Sequence, residues 1–179
     1  MRRIKFSPRQ TTYQTPFFDV YHSRADFGGF SKDYYVINFG PRGGIVAAKD
    51  GNVLLARQYR FLIDGMSWEL PGGTIEPGEP AETGAARECL EETGVLCRNL
   101  KPLVVYYPGL DNVENRTTIW RTDDVEIRRG FVPKAEEVSE VAWVPLARAI
   151  DMIFAGEILD GMSVTGLLAY QHSLRQNAF

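Results

Sequence analysis

An α+β fold, with a mixed central sheet between helices and a small antiparallel β segment ahead of it, is what this sequence predicts. Three observations predict it. Stretches rich in aromatic and β-branched residues interleave with helical periodicities along the chain. An Asp50-Gly51 pair separates two apolar runs, a strong cue for a tight hairpin. An amphipathic segment then stops at Gly94, as helices commonly stop at glycine.

Taken in order, residues 1 to about 42 are broken by Pro8, Pro16, Gly28-Gly29 and Gly40-Pro41, and read as short antiparallel strands with turns. Tyr34 to Phe39 alternates loosely and is one of these strands. Gly43 to Lys49 and Asn52 to Tyr59 are the two arms of the hairpin, and Ser67 to Leu70 is a short strand entering Pro71-Gly72-Gly73. A helix starts at Glu79-Pro80, with the proline in the first turn, where its missing N–H is harmless. Ala81, Ala85, Ala86, Cys89 and Leu90 form its apolar side. Gly84 weakens it by roughly 1 kcal/mol relative to alanine, and is either room for a substrate or simply tolerated. Leu100 to Tyr107, Thr117 to Arg121 and Val138 to Val144 read as further strands, with a polar loop from Asp123 to Glu137. Pro145 introduces a helix with Leu146, Ile150 and Ile153 on one face, closed by Gly156. A last helix, Met162 to Gln176, carries Val164, Leu167, Leu168, Gln171 and Leu174 at helical spacing. The chain divides into an N-terminal β segment, 1–42, expected to serve dimerisation, and a main domain, 43–179.

Composition narrows the function. A net charge of −3 lacks the basic excess that a nucleic-acid backbone binder needs. No run of 18 apolar residues exists, so no membrane span is expected. MRRIKFSPRQ has arginines without an apolar stretch behind them, so it does not read as a signal peptide. Two cysteines, Cys89 and Cys97, are expected as reduced thiols of a cytoplasmic protein. Two histidines, His22 and His172, lie far apart, which argues against a Cys/His zinc site.

The informative stretch is Gly73 to Val95, GTIEPGEPAETGAARECLEETGV. Glu88, Glu91 and Glu92 crowd one stripe of the helix, since residues three and four apart are neighbours. They sit in its last turns, where the helix dipole disfavours each carboxylate by about 0.3–1 kcal/mol. A bound divalent cation turns that cost into a gain, because hard cations take oxygen ligands.

This segment matches the Nudix box, Gx5Ex7REUxEExGU with U apolar. Gly73 is its first glycine, Glu79 the next fixed acid, Arg87-Glu88 the RE pair, and Glu91-Glu92, Gly94 and Val95 close it. Cys89 stands where the pattern usually has a larger aliphatic residue. The chain therefore resembles the Nudix hydrolases. That resemblance implies an α/β/α sandwich and hydrolysis of a nucleoside diphosphate linked to another group, with Mg2+, or Mn2+, as cofactor. It also implies Glu88 and Glu92 as primary metal ligands, Glu91 as a shared ligand or one that supports the others from behind, and the Gly72 carbonyl as an extra one. Arg87 is implied to orient the glutamates from behind, and Glu79 to brace the loop. The general base is expected from a loop outside the box: Glu136 or Glu137 ahead of the strand Val138 to Val144, with Glu140 and Glu114 as further candidates.

The flanks LARQYR (Leu55 to Arg60), SWELPGG (Ser67 to Gly73) and GEILDGMSVTGLLAYQ (Gly156 to Gln171) look like the ADP-ribose and nucleotide-sugar pyrophosphatase branch, over most of residues 43 to 175. The resemblance implies that Arg60 and Glu69, with Arg57 beside them, help hold the substrate. Pro108 lies thirteen or fourteen residues past Gly94-Val95, roughly where the branch carries a proline. Asn115 replaces an acid usual in that loop. Phe17, Phe18 and Tyr21 either stack a nucleobase or fill the N-terminal β core, and Trp68 is expected in the core or an interface. Three readings follow: cleavage of ADP-ribose to AMP and ribose 5-phosphate, cleavage of a nucleotide sugar such as GDP-mannose, or a non-catalytic ADP-ribose-binding regulator. A homodimer is the expected assembly.

Overall fold

The computed structural model describes residues 4–128, 130–131 and 138–176. In chain order the strands are β1 (Lys5–Phe6), β2 (Gln10–Gln14), β3 (Asp19–Asp26), β4 (Ser31–Asn38), β5 (Arg42–Lys49), β6 (Asn52–Arg60), β7 (Gly65–Glu69) and β8 (Gly72–Thr74). Helix α1 (Ala81–Thr93) follows, then β9 (Val95–Cys97), β10 (Lys101–Tyr106), β11 (Val113–Glu114), β12 (Thr117–Thr122), β13 (Val125–Ile127) and β14 (Val138–Pro145). Helices α2 (Leu146–Phe154) and α3 (Gly161–Gln176) end the described chain.

The chain forms two compact units, Met1–Pro41 with Tyr106–Arg116, and Arg42–Val105 with Thr117–Phe179. In the first, β1, β2 and β4 pair antiparallel with β3, and β11 adds a parallel strand to β4. Its aromatic residues divide by environment. Tyr21 is buried, Phe18 packs against Phe39 with ring centroids 5.3 Å apart, and Phe17 is exposed.

The second unit is built on a splayed hairpin. Asp50 and Gly51 both take positive φ, 50° and 78°, as a tight two-residue hairpin turn requires. Beyond the turn β5 and β6 pair only over Ala48–Val53 and Lys49–Asn52. They then part: β5 takes β8 and the parallel β12, and β6 takes β7 and β14. Successive residues of β5 face opposite sides. A Cβ at Gly43 would meet Ala85 of α1 and Trp120, and one at Gly44 would meet Met162 of α3. Helices therefore cover both faces of a mixed sheet, the expected sandwich. The α1 side is cored by Ile45, Ala47, Leu54, Ala85, Cys89, Val95, Cys97 and Trp120.

Four local expectations are corrected. Pro80 is the extended residue that precedes α1 rather than part of its first turn. Gly72-Gly73, which no expected strand included, belongs to strand β8, because its glycines pair with Gly44 and Gly43 at backbone range. Val125–Ile127, expected within a polar loop, pairs with β9, and Arg98 donates to Glu126 across the pair. The buried stripe of α3 runs through Met162, Ser163, Gly166 and Leu167, whereas Leu168 and Leu174 are exposed. Gly166 sets that orientation: a Cβ there would lie 2.6 Å from Leu70 Cδ1.

Candidate active site

The site grows from the Gly72-Gly73 pair of β8. A Cβ on Gly73 would sit 2.6 Å from the carboxyl carbon of Glu88, so only glycine leaves room for that carboxylate. One residue earlier, the Gly72 N–H donates to Glu92 Oε2 at 3.0 Å. Two carboxylates one turn apart on α1 thus converge on a single pair of glycines. Gly72 has its own steric reason, since a Cβ there would lie 2.7 Å from Gly44 Cα.

Glu88 and Glu92 differ in their surroundings. Arg87 Nε and Nη2 donate to the two oxygens of Glu79, both at 3.1 Å, while Nη1 reaches Glu88 Oε1 at 2.9 Å and Glu91 Oε2 at 3.5 Å. Its Nη2 also donates to the Thr74 carbonyl. One guanidinium therefore ties the loop to three glutamates of the box. Glu79 completes the brace by accepting the Glu76 N–H, and bonding to Arg87 holds its carboxyl below the usual range. Gly84 belongs to this brace: a Cβ there would lie 2.6 Å from Glu79 Oε2 and 2.7 Å from Ile75 Cδ1. Its absent side chain admits the loop, a packing role that is neither of the two expected for it.

Glu92 is 9% exposed, and it accepts from two neutral donors: the Gly72 N–H and the Gln58 amide, Nε2 to Oε1 at 3.1 Å. Burial pushes its carboxyl up to about 7, against the two hydrogen bonds and the more distant Arg60, which pull it down. A buried carboxylate whose two hydrogen-bond donors are neutral, beside a second carboxylate and a close-packed pair of glycines, offers oxygen ligands with negative charge left to neutralise. That composition fits a hard divalent cation. Among the described residues, no three carboxylate, imidazole or thiol groups are already arranged around a common point.

The other predicted residues line β6, β7 and β14. Arg60 grips Glu69 with both arms, Nε to Oε1 at 2.8 Å and Nη2 to Oε2 at 2.5 Å. Glu69 is buried and Arg60 is partly exposed, so the acid aims the arginine. Arg57 lies over the Trp68 ring at 5.9 Å and 3.7 Å from Glu140. Glu136 and Glu137 lie outside the described residues. Glu114 belongs to the first unit, where it accepts from Arg9 at 3.0 Å and from the Tyr21 hydroxyl at 2.8 Å. Cys89 and Cys97 are free thiols with sulfurs 3.6 Å apart in the core behind α1. Two participants carry no signal in the sequence. Gln58 brings no charge, and the Gly43-Gly44 pair gains its meaning only through its register against β8.

The family model of the NUDIX domain matches residues 41–160, which takes in the whole cassette and the strands that hold it. The chain belongs to the Nudix family. Two curated relatives extend the match. A CMP-5'-(N-acetyl-N-hydroxy-3-aminopropyl)phosphonate hydrolase of Streptomyces rubellomurinus is 31% identical over 144 residues, covering 79% of this chain and 69% of the relative. An ADP-ribose pyrophosphatase of Mycobacterium tuberculosis is 30% identical over 145 residues, covering 79% and 70%. Among solved structures, the crystal structure of an ADP compounds hydrolase superposes with a TM-score of 0.82 at 19% identity, over 99% of this chain and 97% of that one. The last likeness establishes the fold. This Nudix hydrolase thus has an enzyme's cassette, with Glu88, Glu91 and Glu92 all present. Among its described residues no helix is long and apolar enough to cross a membrane.

Proposed function

We propose that this Nudix hydrolase cleaves the pyrophosphate bond of a nucleoside diphosphate derivative, with Mg2+ as cofactor and ADP-ribose as substrate, giving AMP and ribose 5-phosphate. The observation that carries the reading is the convergence of Glu88 and Glu92 on Gly72-Gly73. Glu88, Glu92 and the Gly72 carbonyl would hold the cation, with Glu91 as a shared ligand; Mn2+ suits the same donors. When bound, the cation supplies charge neutralisation of the pyrophosphate and an activated water.

The chain's own residues do the rest. Arg87 holds Glu88 and Glu91 from behind and keeps the loop closed on the helix through Glu79. Arg60, aimed by Glu69, offers a planar fork suited to phosphate or ribose oxygens, and Arg57 flanks it. The proton of the attacking water passes to Glu136 or Glu137. Support for that placement comes from the next residue, Val138, which pairs with Gln58, the residue that holds Glu92. Glu114, already occupied by Arg9 and Tyr21, is the weaker candidate.

The Streptomyces relative, named for a CMP-linked phosphonate, favours a second reading in which the non-nucleoside half is a small phosphonate rather than a sugar phosphate. A panel of ADP-ribose, GDP-mannose, a CMP-linked phosphonate and nucleoside triphosphates, read by chromatography of the products, separates these. AMP and ribose 5-phosphate in equal amounts, with the highest kcat/KM in the panel for ADP-ribose, is the expected result. Preference for any other member overturns the substrate assignment. We also place the protein in the cytoplasm as a homodimer assembled through its N-terminal β segment. Two free cysteines suit a reducing compartment, and exposed Phe6, Phe17 and Phe30 suit an interface between copies.

A further inference from the structure

We infer that Gln58 is a positioning residue of the cation site, one that sets the plane of the Glu92 carboxylate; the inference rests on the metal-binding reading of Glu88, Glu91 and Glu92. Gln58 lies in a strand in which Val53 to Ala56 are all buried and apolar, with only Arg57 between them and it. It is itself only 4% exposed. Burying an amide costs free energy unless it is hydrogen-bonded, so an aliphatic side chain would suit packing better there. The amide instead donates to Glu92 Oε1 at 3.1 Å.

The Gly72 N–H holds the other oxygen at 3.0 Å. Each carboxylate oxygen has two acceptor directions, so one remains open on each after these bonds. Two donors from different strands fix the rotation of the carboxylate about its own axis, which neither would do alone. Both donors are neutral. A lysine or arginine at position 58 would fix the group equally well, but it would supply the charge that a bound cation is to supply. Glu79 shows the opposite arrangement, gripped by both arms of Arg87 and committed to structure.

The donor is also rigid. Gln58 pairs with Ser67 on one side and Val138 on the other, so its backbone is held from both edges. A site built on a paired strand is held more accurately than one built on a loop. Hydrogen bonds that orient ligating side chains are worth about 10–100-fold in metal affinity or activity.

The test is a Mn2+ titration of the full chain, read by the electron paramagnetic resonance signal of free Mn2+, well below the melting temperature. Wild type, Gln58→Met and Glu92→Gln are compared, with kcat and KM measured alongside. Gln58→Met matches the length of glutamine and removes its amide, donor and carbonyl oxygen together. It should weaken Mn2+ binding by about 10–100-fold. Its kcat should fall while KM for substrate stays near wild type, and its melting temperature should hold or rise. Loss of a merely structural glutamine would lower the melting temperature and leave Mn2+ affinity alone. If Gln58→Met does not fold, Gln58→Leu, which also lacks the donor, serves in its place with the same expected loss. Wild-type Mn2+ affinity in a folded donor-less variant, while Glu92→Gln loses binding, overturns the role of Gln58. Wild-type affinity in Glu92→Gln overturns the cation-site reading itself, and the inference with it.

Discussion

Two neighbouring parts of one helix treat their carboxylates in opposite ways. Toward the loop, Arg87 gathers Glu79, Glu88 and Glu91 around one guanidinium, whose single positive charge offsets part of theirs. One turn on, Glu92 is buried between an amide and a backbone N–H, and its carboxyl is pushed up to about 7. The first arrangement already contains a cation of the protein's own, and it holds Glu88 and Glu91 in position. The second is costly alone and becomes favourable when a cation arrives. The difference teaches that the box is not a uniform acidic patch: structure and binding are shared out among its glutamates according to the partners each one meets.

The comparison is broken most forcefully at Glu92. Glu92→Gln should lower kcat by at least about 10³-fold, roughly 4 kcal/mol of barrier, while circular dichroism shows an intact fold. Near-normal turnover at saturating Mg2+ would show that the buried acid is not a ligand.

The same residue gives a pH signature in chelator-treated protein. The native carboxyl near 7 lies above its ordinary 4.5, so the native state binds the proton more tightly than the unfolded chain. Stability contributed by this group is therefore complete below about pH 4.5 and is lost as pH rises toward 7, on the order of 3 kcal/mol in all. Urea unfolding at several pH values measures the loss. Glu92→Gln should flatten the curve, and Mg2+ should restore stability at neutral pH. An unchanged slope in Glu92→Gln would assign the effect elsewhere.

Gly73→Ala sharpens the contrast from the other side. Its Cβ would occupy the place of the Glu88 carboxyl. Displacing that group should cost about 10–100-fold in kcat, by analogy with other disturbances of ligand orientation, with little change in melting temperature because the clash is with the end of a side chain. An equal fall in stability and activity would make Gly73 a folding residue instead.

The smallest expected effect is at the brace. Arg87→Lys keeps a charge but loses the planar fork that reaches Glu79, Glu88 and Thr74 together. Turnover should drop about tenfold, ~1.4 kcal/mol, with KM for Mg2+ affected less than in Glu92→Gln. A larger loss than Glu92→Gln would reverse the two roles.

Much of this is legible in the amino-acid sequence. The box pattern carries its own chemistry, because acids at helical spacing near a C-terminus are unfavourable unless something binds them. The Asp50-Gly51 turn and the Gly94 stop are local signals, and both hold in the fold. What stays hidden depends on long-range register. Gly43 and Gly44 matter because β8 lies against β5, and no local rule announces that pairing. Gln58 matters because the strand carries it to Glu92, 34 positions away in sequence. Strand β13 is obscured by its polar surroundings, and the buried stripe of α3 is displaced by a glycine whose value lies in what it lets approach. Hydrophobic periodicity finds side chains that pack, and it misses positions where the lack of a side chain does the work.

The most direct measurement is anomalous diffraction from a crystal soaked with Mn2+ and a non-cleavable ADP-ribose analogue. The expected result is a manganese peak bounded by Glu88, Glu92 and the Gly72 carbonyl, with the bridging phosphates against it. Manganese and phosphates found elsewhere, with Glu92 still bonded only to Gln58 and Gly72, would contradict it.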